Sequence, residues 1–177
     1  MGRQGDKMKT QNIKITDDFE EFYKALDSNG AFLVVRDKSG KTNLMTIGWA
    51  TLGIVWHEPI MTVFVRPSRH TFELMENAEH FSVCVPVNKL EKELAFCGSK
   101  SGRNMDKFKE FGLTPANGQT PGTSIVEECD IFYECEIVHA TNVLEETLEH
   151  SIKGAYYPNG DFHAIYFGKV SAAYRKA

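Results

Sequence analysis

Apolar and polar positions alternate along the chain in a way that predicts many short strands and a few short helices. Phe19, Phe22, Tyr23 and Leu26 fall at helical spacing, so residues 17–26 read as a helix capped by Thr16 or Asp17. A continuous apolar run at 31–35 reads as a strand, and Asp37-Lys-Ser-Gly-Lys41 as a hairpin-type turn. Residues 42–50 form the second predicted strand and 59–65 the third, rich in β-formers. A helix is predicted over 71–78, then a strand over 81–85 ended by Pro86. Leu90, Leu94 and Cys97 place a helix over 88–97. A glycine-containing loop at 98–103 precedes a short helix at 105–111, and 112–123 reads as loop. Two long strands close the chain, at 130–141 and 162–174, around a partly helical stretch at 144–157.

These strands do not alternate with long helices, so successive βαβ units are not indicated. The expected fold is mainly β with short helices, an antiparallel barrel with helices in its connections. Residues 1–15 read as a disordered tail and 16–177 as a single domain. No repeat or linker divides it.

At 177 residues and 42% apolar composition the chain can bury a real core. Twenty basic against 24 acidic side chains leave a net charge of −4, which argues against broad nucleic-acid binding. No apolar run is long enough to cross a bilayer, and the first residues lack the apolar segment of a secretion signal. Cys84, Cys97, Cys129 and Cys135 form no CxxC pair and read as buried free thiols, which fits a reducing cytoplasm. No metal site is expected. No GxGxxG follows a strand, no Walker loop is present, and no Ser-His-Asp set can be picked out.

Two segments carry candidate chemistry. In the strand holding Asn43, Met45, Thr46, Ile47, Gly48, Trp49, Ala50 and Thr51, one face (Leu44, Thr46, Gly48, Ala50) is mostly small. Small residues let a flat ring lie close to the backbone, though an ordinary strand with a glycine kink has the same pattern. Arg66-Pro-Ser-Arg-His-Thr71 reads as a turn entering a helix. Arg66, Ser68, Arg69, His70 and Thr71 there offer an anion site, or plain helix capping with solvated arginines. An apolar wall beside an anion pocket suits a phosphorylated aromatic cofactor, with FMN the first candidate. The polar loop from Ser99 to Lys107 can close over such a cofactor or stand as an exposed loop.

The order of four segments resembles the flavin reductase-like family of FMN-binding split-barrel proteins, in particular its flavoredoxin-like members. They are Asn43-x-Met-Thr with Trp49-Ala-Thr51; residues 59–71 ending Arg66-Pro-Ser-Arg-His-Thr71; Ser101-Gly-Arg-x-x-Asp-Lys-Phe108; and Gly160-Asp-Phe-His163 with Phe167-Gly-Lys-Val170. The resemblance implies a Greek-key split barrel acting as a homodimer, with FMN near the subunit interface. It implies that Asn43, Met45 and Thr46 line the flavin or its ribityl chain, and that Trp49, Ala50 and Thr51 lie along the ring. Ser68, Arg69 and Thr71 would hold the phosphate with help from Arg66. Ser101, Gly102 and Lys107 match the closing segment, and His163 matches a histidine of the family's Gly-Asp-His pattern. Two departures stand out: Phe162 separates Asp161 from His163, and His70 stands where relatives often carry an aromatic residue. The implied activity is transfer of hydride from NAD(P)H through FMN to a flavin, a protein or a small-molecule acceptor in the cytoplasm. The alternatives are an electron-transfer flavoprotein reduced by a protein partner and a non-redox ligand-binding split barrel.

Overall fold

A computed structural model describes residues 8–177. Its main sheet is antiparallel throughout and contains β1 (Thr10–Asn12), β2 (Ala31–Arg36), β3 (Thr42–Ile47), β4 (Ala50–Val55), β5 (Glu58–Val65), β6 (His80–Val85), β9 (Ile131–Asn142) and β10 (Ala164–Lys176). The strand order is β3-β2-β6-β9-β10-β5-β4, with β1 added to β10. A two-stranded sheet pairs β7 (Pro115–Asn117) with β8 (Ser124–Val126). The helices are short: α1 (Phe19–Asp27), α2 (His70–Met75), α3 (Glu91–Ser99), α4 (Lys107–Phe111) and α5 (His150–Tyr156), with a single 3-10 turn at Glu145–Thr147.

The order of the strands defines the architecture. β3 and β4 are neighbours in sequence but lie at opposite edges of the sheet. Only Gly48 and Trp49 join them. The sheet must therefore curl until its two edges meet at this dipeptide, and it remains unclosed there. This is a split barrel, mainly β with short helices.

Two cores follow from the two-residue period of the strands. Ala31, Leu33 and Val35 of β2 point into the barrel with Met45, Val63, Val83 and Tyr133. Phe32 and Val34 point outward and pack with Leu44, Leu94, Phe108 and Phe132 beneath α3, α4 and the β7-β8 hairpin. Burial on both faces explains why β2 reads as an uninterrupted apolar run. Phe22 of α1 sits edge-on to Tyr133 and plugs the barrel. Gly168 of β10 is required by packing: a Cβ there would lie 2.5 Å from the Phe81 ring and 2.6 Å from Cys135. All four cysteines are buried and unpaired. Burial pushes Cys97 up to about 11 and Cys84 up to about 12.

Several expectations need correction. The tail expected over 1–15 is structured from Thr10, where β1 pairs with the end of β10 and Ile13 and Ile15 pack on the barrel core; residues 1–7 lie outside the described residues. The strand expected over 42–50 is two strands, because the chain must cross from one sheet edge to the other at Gly48-Trp49. The turn after β4 is unmarked by glycine or asparagine: Trp56 and His57 take left-handed φ values of 56° and 59°. Part of the loop expected over 112–123 forms β7, and the helix expected over 88–97 starts only after a left-handed Leu90. The helix expected over 71–78 is the six-residue α2.

Candidate functional site

The open edge of β3 is the starting point, because its backbone groups have no strand partner on that side among the described residues. The Leu44 carbonyl faces this edge and accepts from Nζ of Lys107 at 3.1 Å. By the alternation of an antiparallel strand, the backbone groups of Thr42 and Thr46 face the same way. Two hollows lie along this edge. At the C-terminal end of β3, a cleft of about 190 Å³ is lined by Met45, Thr46, Ile47, Gly48, Trp49, Phe64, Arg66, Arg69 and His163. At the N-terminal end, a cavity of about 580 Å³ is lined by Lys41, Thr42, Asn43, His70, Gly102, Arg103, Lys107 and neighbours.

The small face expected to form a flat wall does not do so. Leu44 belongs to the outer core, and the Thr46 hydroxyl donates to the Leu94 carbonyl at 2.6 Å, so α3 covers that face. The accessible feature is the edge of β3 and its continuation through Gly48, not a face of it. Ala50 and Thr51 also stand apart from the cleft. Ala50 packs toward the barrel core opposite Val63, and the Thr51 hydroxyl meets that of Thr62.

The arginine segment comes together at the split. Arg66 donates to the carbonyls of Tyr156 and Asp161 at 2.8 and 2.9 Å and lies 5.0 Å from the Tyr157 ring centre. Arg69 uses one guanidinium nitrogen on the Gly98 carbonyl at 2.9 Å. The Ser68 amide and hydroxyl are taken by the Asp161 carboxylate, at 3.1 and 2.6 Å. Asp161 holds φ of 59° directly after Gly160 at 76°, which turns its carboxylate back toward Ser68. Thr71 is buried and accepts from Nδ2 of Asn43 at 2.9 Å.

His70 and the closing loop border the larger cavity. Nδ1 of His70 lies 2.9 Å from Glu73, whose carboxylate also holds Arg103. Arg103 first, then His70, draws the Glu73 carboxyl below its ordinary range. Nε2 of His70 is buried without a partner among the described residues. Gly102 is a close-approach position: a Cβ would lie 2.2 Å from Oδ1 of Asn43. Ser101 is exposed, and its hydroxyl accepts from the Arg103 amide at 3.2 Å. Lys107 is buried, with its ammonium on the carbonyls of Leu44 and Cys97 at 3.1 and 2.9 Å. Burial lowers its pKa. It clips the end of α3 to β3 and so fixes the wall of the cavity.

His163 is buried in the cleft, 4.7 Å from the Trp49 ring and 2.7 Å from the Tyr157 hydroxyl. Burial, then Arg66, pushes its pKa down to about 4. It is neutral near pH 7 and is no proton donor of the imidazolium kind. Phe64, Tyr157 and Asp161 were not expected in the site. The outward phase of Phe64 on β5 and the Tyr156-Tyr157 pair ahead of Pro158-Asn159-Gly160 are the signals that could have marked the region.

The residues present fit a flavin mononucleotide. Ligand pockets commonly span about 300–1,000 Å³, so the smaller cleft admits part of such a molecule and the larger cavity can take more. Both border one strand edge. Arg69 faces one and His70, with its orphaned nitrogen, the other.

Comparisons with known proteins agree with this geometry. The YddH protein of Escherichia coli is 31% identical over 111 residues, 62% of this chain and 58% of that protein. The chain spans about half the length of the curated relatives it matches. An FMN-binding protein of Thermus thermophilus, solved with p-hydroxybenzaldehyde, superposes with a TM-score of 0.65 at 25% identity, covering 82% of this chain and 70% of that one. Flavoredoxin of Methanosarcina acetivorans gives 0.63 at 24% identity, covering 94% and 76%. Residues 27–177 match the model of the flavin reductase like domain, and the chain belongs to that family.

Proposed function

We propose that this chain is a flavin-dependent oxidoreductase that binds FMN along the open edge of β3. The observation that carries the reading is the unclosed seam between β3 and β4. It leaves strand-edge backbone, Gly48, Trp49 and two arginines around one cleft. The FMN-binding relatives support the choice of cofactor. When bound, the flavin would supply the redox chemistry, taking hydride at N5 from NADH or NADPH and passing electrons to a flavin, a protein or a small acceptor.

The chain's own residues bind and orient. Backbone groups of Thr46 and Gly48 offer hydrogen bonds to a ring edge, and Trp49 flanks it. Arg69 supplies charge for the phosphate. Asn43, held by Thr71, and His70 line the wall toward the ribityl and phosphate end. Positioning of donor and ring in the cleft provides much of the rate, so no side-chain acid is required.

A homodimer is part of the proposal. Ile54, Val55 and Trp56 of the β4-β5 hairpin leave apolar surface exposed beside the seam, which a second copy would cover. The four buried free thiols support a cytoplasmic setting.

The test is the visible absorbance spectrum of the purified protein, with the released chromophore identified by mass, followed by anaerobic mixing with NADH and with NADPH. Bound FMN that bleaches supports the reductase. Bound FMN that stays oxidised with both would favour a carrier reduced by a protein partner. A protein that neither carries nor binds FMN would overturn the reading in favour of a non-redox barrel.

A further inference from the structure

Tyr157 closes α5 and is buried against the cleft. Its phenol oxygen lies 2.7 Å from Nδ1 of His163, and this is its one side-chain hydrogen bond among the described residues. The His163 ring lines the cleft beside Trp49, and its Nε2 has no partner among the described residues. We infer that Tyr157 is a positioning residue: its hydroxyl donates to Nδ1, fixing His163 with its proton on Nε2 and presenting that N–H to the cleft.

A count of protons carries the argument. A phenol has one hydrogen and a neutral imidazole has one. If Nδ1–H donated to the phenol oxygen, the phenol hydrogen would be left without an acceptor in a buried site, and Nε2 would be a bare lone pair. If the phenol donates, both groups around the contact are satisfied. The second nitrogen of a histidine is commonly set in this way by the partner of the first.

The charges around the ring keep it in the required state. Arg66 at the end of β5, Arg69 ahead of α2 and Asp161 in the loop are the charged groups facing it, and Tyr157 is the remaining titratable one. Burial and the two arginines outweigh Asp161 and hold His163 down at about 4. Burial raises Tyr157, so the phenol keeps its hydrogen at neutral pH. An N–H donor beside Trp49 in this cleft suits a carbonyl oxygen on a planar ring. That last step rests on the proposed flavin chemistry, where either the cofactor's ring or the carboxamide of an incoming nicotinamide would supply the oxygen.

The assignment is tested without any flavin, by nitrogen-15 NMR of the histidine-labelled protein. His163→Gln identifies the signal by its loss. The expected result is an unprotonated Nδ1 and a protonated Nε2, unchanged between about pH 6 and 8. In Tyr157→Phe both tautomers should appear, and the ring should titrate closer to its ordinary range. An Nδ1-protonated His163 in the unmodified protein overturns the inference, as does a Tyr157→Phe spectrum identical to it. If Tyr157→Phe fails to fold, the spectrum of the unmodified protein still decides. A correct tautomer in a protein that binds no flavin would keep Tyr157 as a positioning residue and remove the proposed chemistry alone.

Discussion

Nδ2 of Asn43 donates to Oγ1 of Thr71 across 2.9 Å, joining the open edge strand β3 to the start of α2 inside the protein. The residues are 28 positions apart in sequence, and both are buried. This bond sets the distance between the strand edge and the Arg69-His70 pair on the opposite wall. Removing one partner leaves the other buried and unpaired, which costs about 1–3 kcal/mol. Thr71→Val keeps the shape and removes the acceptor, so its unfolding free energy from urea titration should fall by that amount. The same variant should retain less FMN through gel filtration. Unchanged stability would show that Asn43 finds another partner.

Gly102 tests the same wall from the other side. A methyl group there would press on Oδ1 of Asn43 at 2.2 Å and approach the His70 ring at 3.3 Å. Gly102→Ala should therefore push the Ser101–Arg103 loop off the strand or rotate Asn43 away from Thr71. Overpacking of this kind costs about 1–3 kcal/mol. FMN affinity, read by quenching of flavin fluorescence, should fall about tenfold or more, equivalent to at least ~1.4 kcal/mol. Affinity equal to that of the unmodified protein would mean that the loop yields freely and plays no part in the site.

Arg69 separates a binding role from a capping one. Its guanidinium spends one nitrogen on the Gly98 carbonyl and faces the cleft with the rest. A charge-assisted bond to phosphate is about twice as strong as a neutral one. Arg69→Ala should weaken FMN at least about tenfold and riboflavin, which lacks the phosphate, far less. Equal losses for the two ligands would place the phosphate elsewhere.

Much of this architecture was legible in the chain. Strands buried on both faces, such as β2, announce themselves by unbroken apolar runs, and the four family segments name the residues near the seam. Two things were hidden. The break at Gly48-Trp49 is a matter of sheet order, since nothing within residues 42–50 says that their two halves belong to opposite edges. The partners of the site's charges were hidden for the same reason. Ser68 and Arg66 meet Asp161 93 and 95 positions away, through a left-handed turn that pairs glycine with aspartate. A sequence shows that Ser68 can hold an anion; only the fold shows that a carboxylate of the chain already lies there.

The Glu134 carboxylate shows how far the β7-β8 region depends on one buried acid. It accepts from the amides of Gln119 and Thr120 and from the hydroxyls of Thr123 and Tyr174, with no exposure of the residue to solvent. These donors tie the turn between β7 and β8 to the sheet. Glu134→Leu would strand the two amides and the Tyr174 hydroxyl, while the Thr123 hydroxyl keeps the Thr120 carbonyl at 2.6 Å, and each buried donor left unsatisfied costs about 1–3 kcal/mol. The expected result is a protein unfolded or severely destabilised at room temperature. Tyr174→Phe, which removes one donor, should lose about 1–2 kcal/mol and keep its FMN affinity. A Tyr174→Phe variant as stable as the unmodified protein would show that the remaining three donors satisfy the acid.

His163 gives stability a pH dependence of predictable sign. In the unfolded chain the ring takes up a proton near its ordinary 6.5, whereas in the fold it does so only near about 4. Between those values the unfolded state binds the extra proton, so acid favours unfolding. The stabilisation attached to the neutral ring is fully present above about pH 6.5 and drains away as pH falls toward about 4. Carboxylates titrate in the same window, so the comparison must be with His163→Gln, which lacks the ionisation and keeps a side-chain donor. The gap in urea midpoint between the unmodified protein and this variant should narrow or reverse from pH 7 to pH 4.5. A gap that stays constant over that interval would mean that His163 titrates normally in the fold, and that the burial and the arginines around it do not hold the ring neutral.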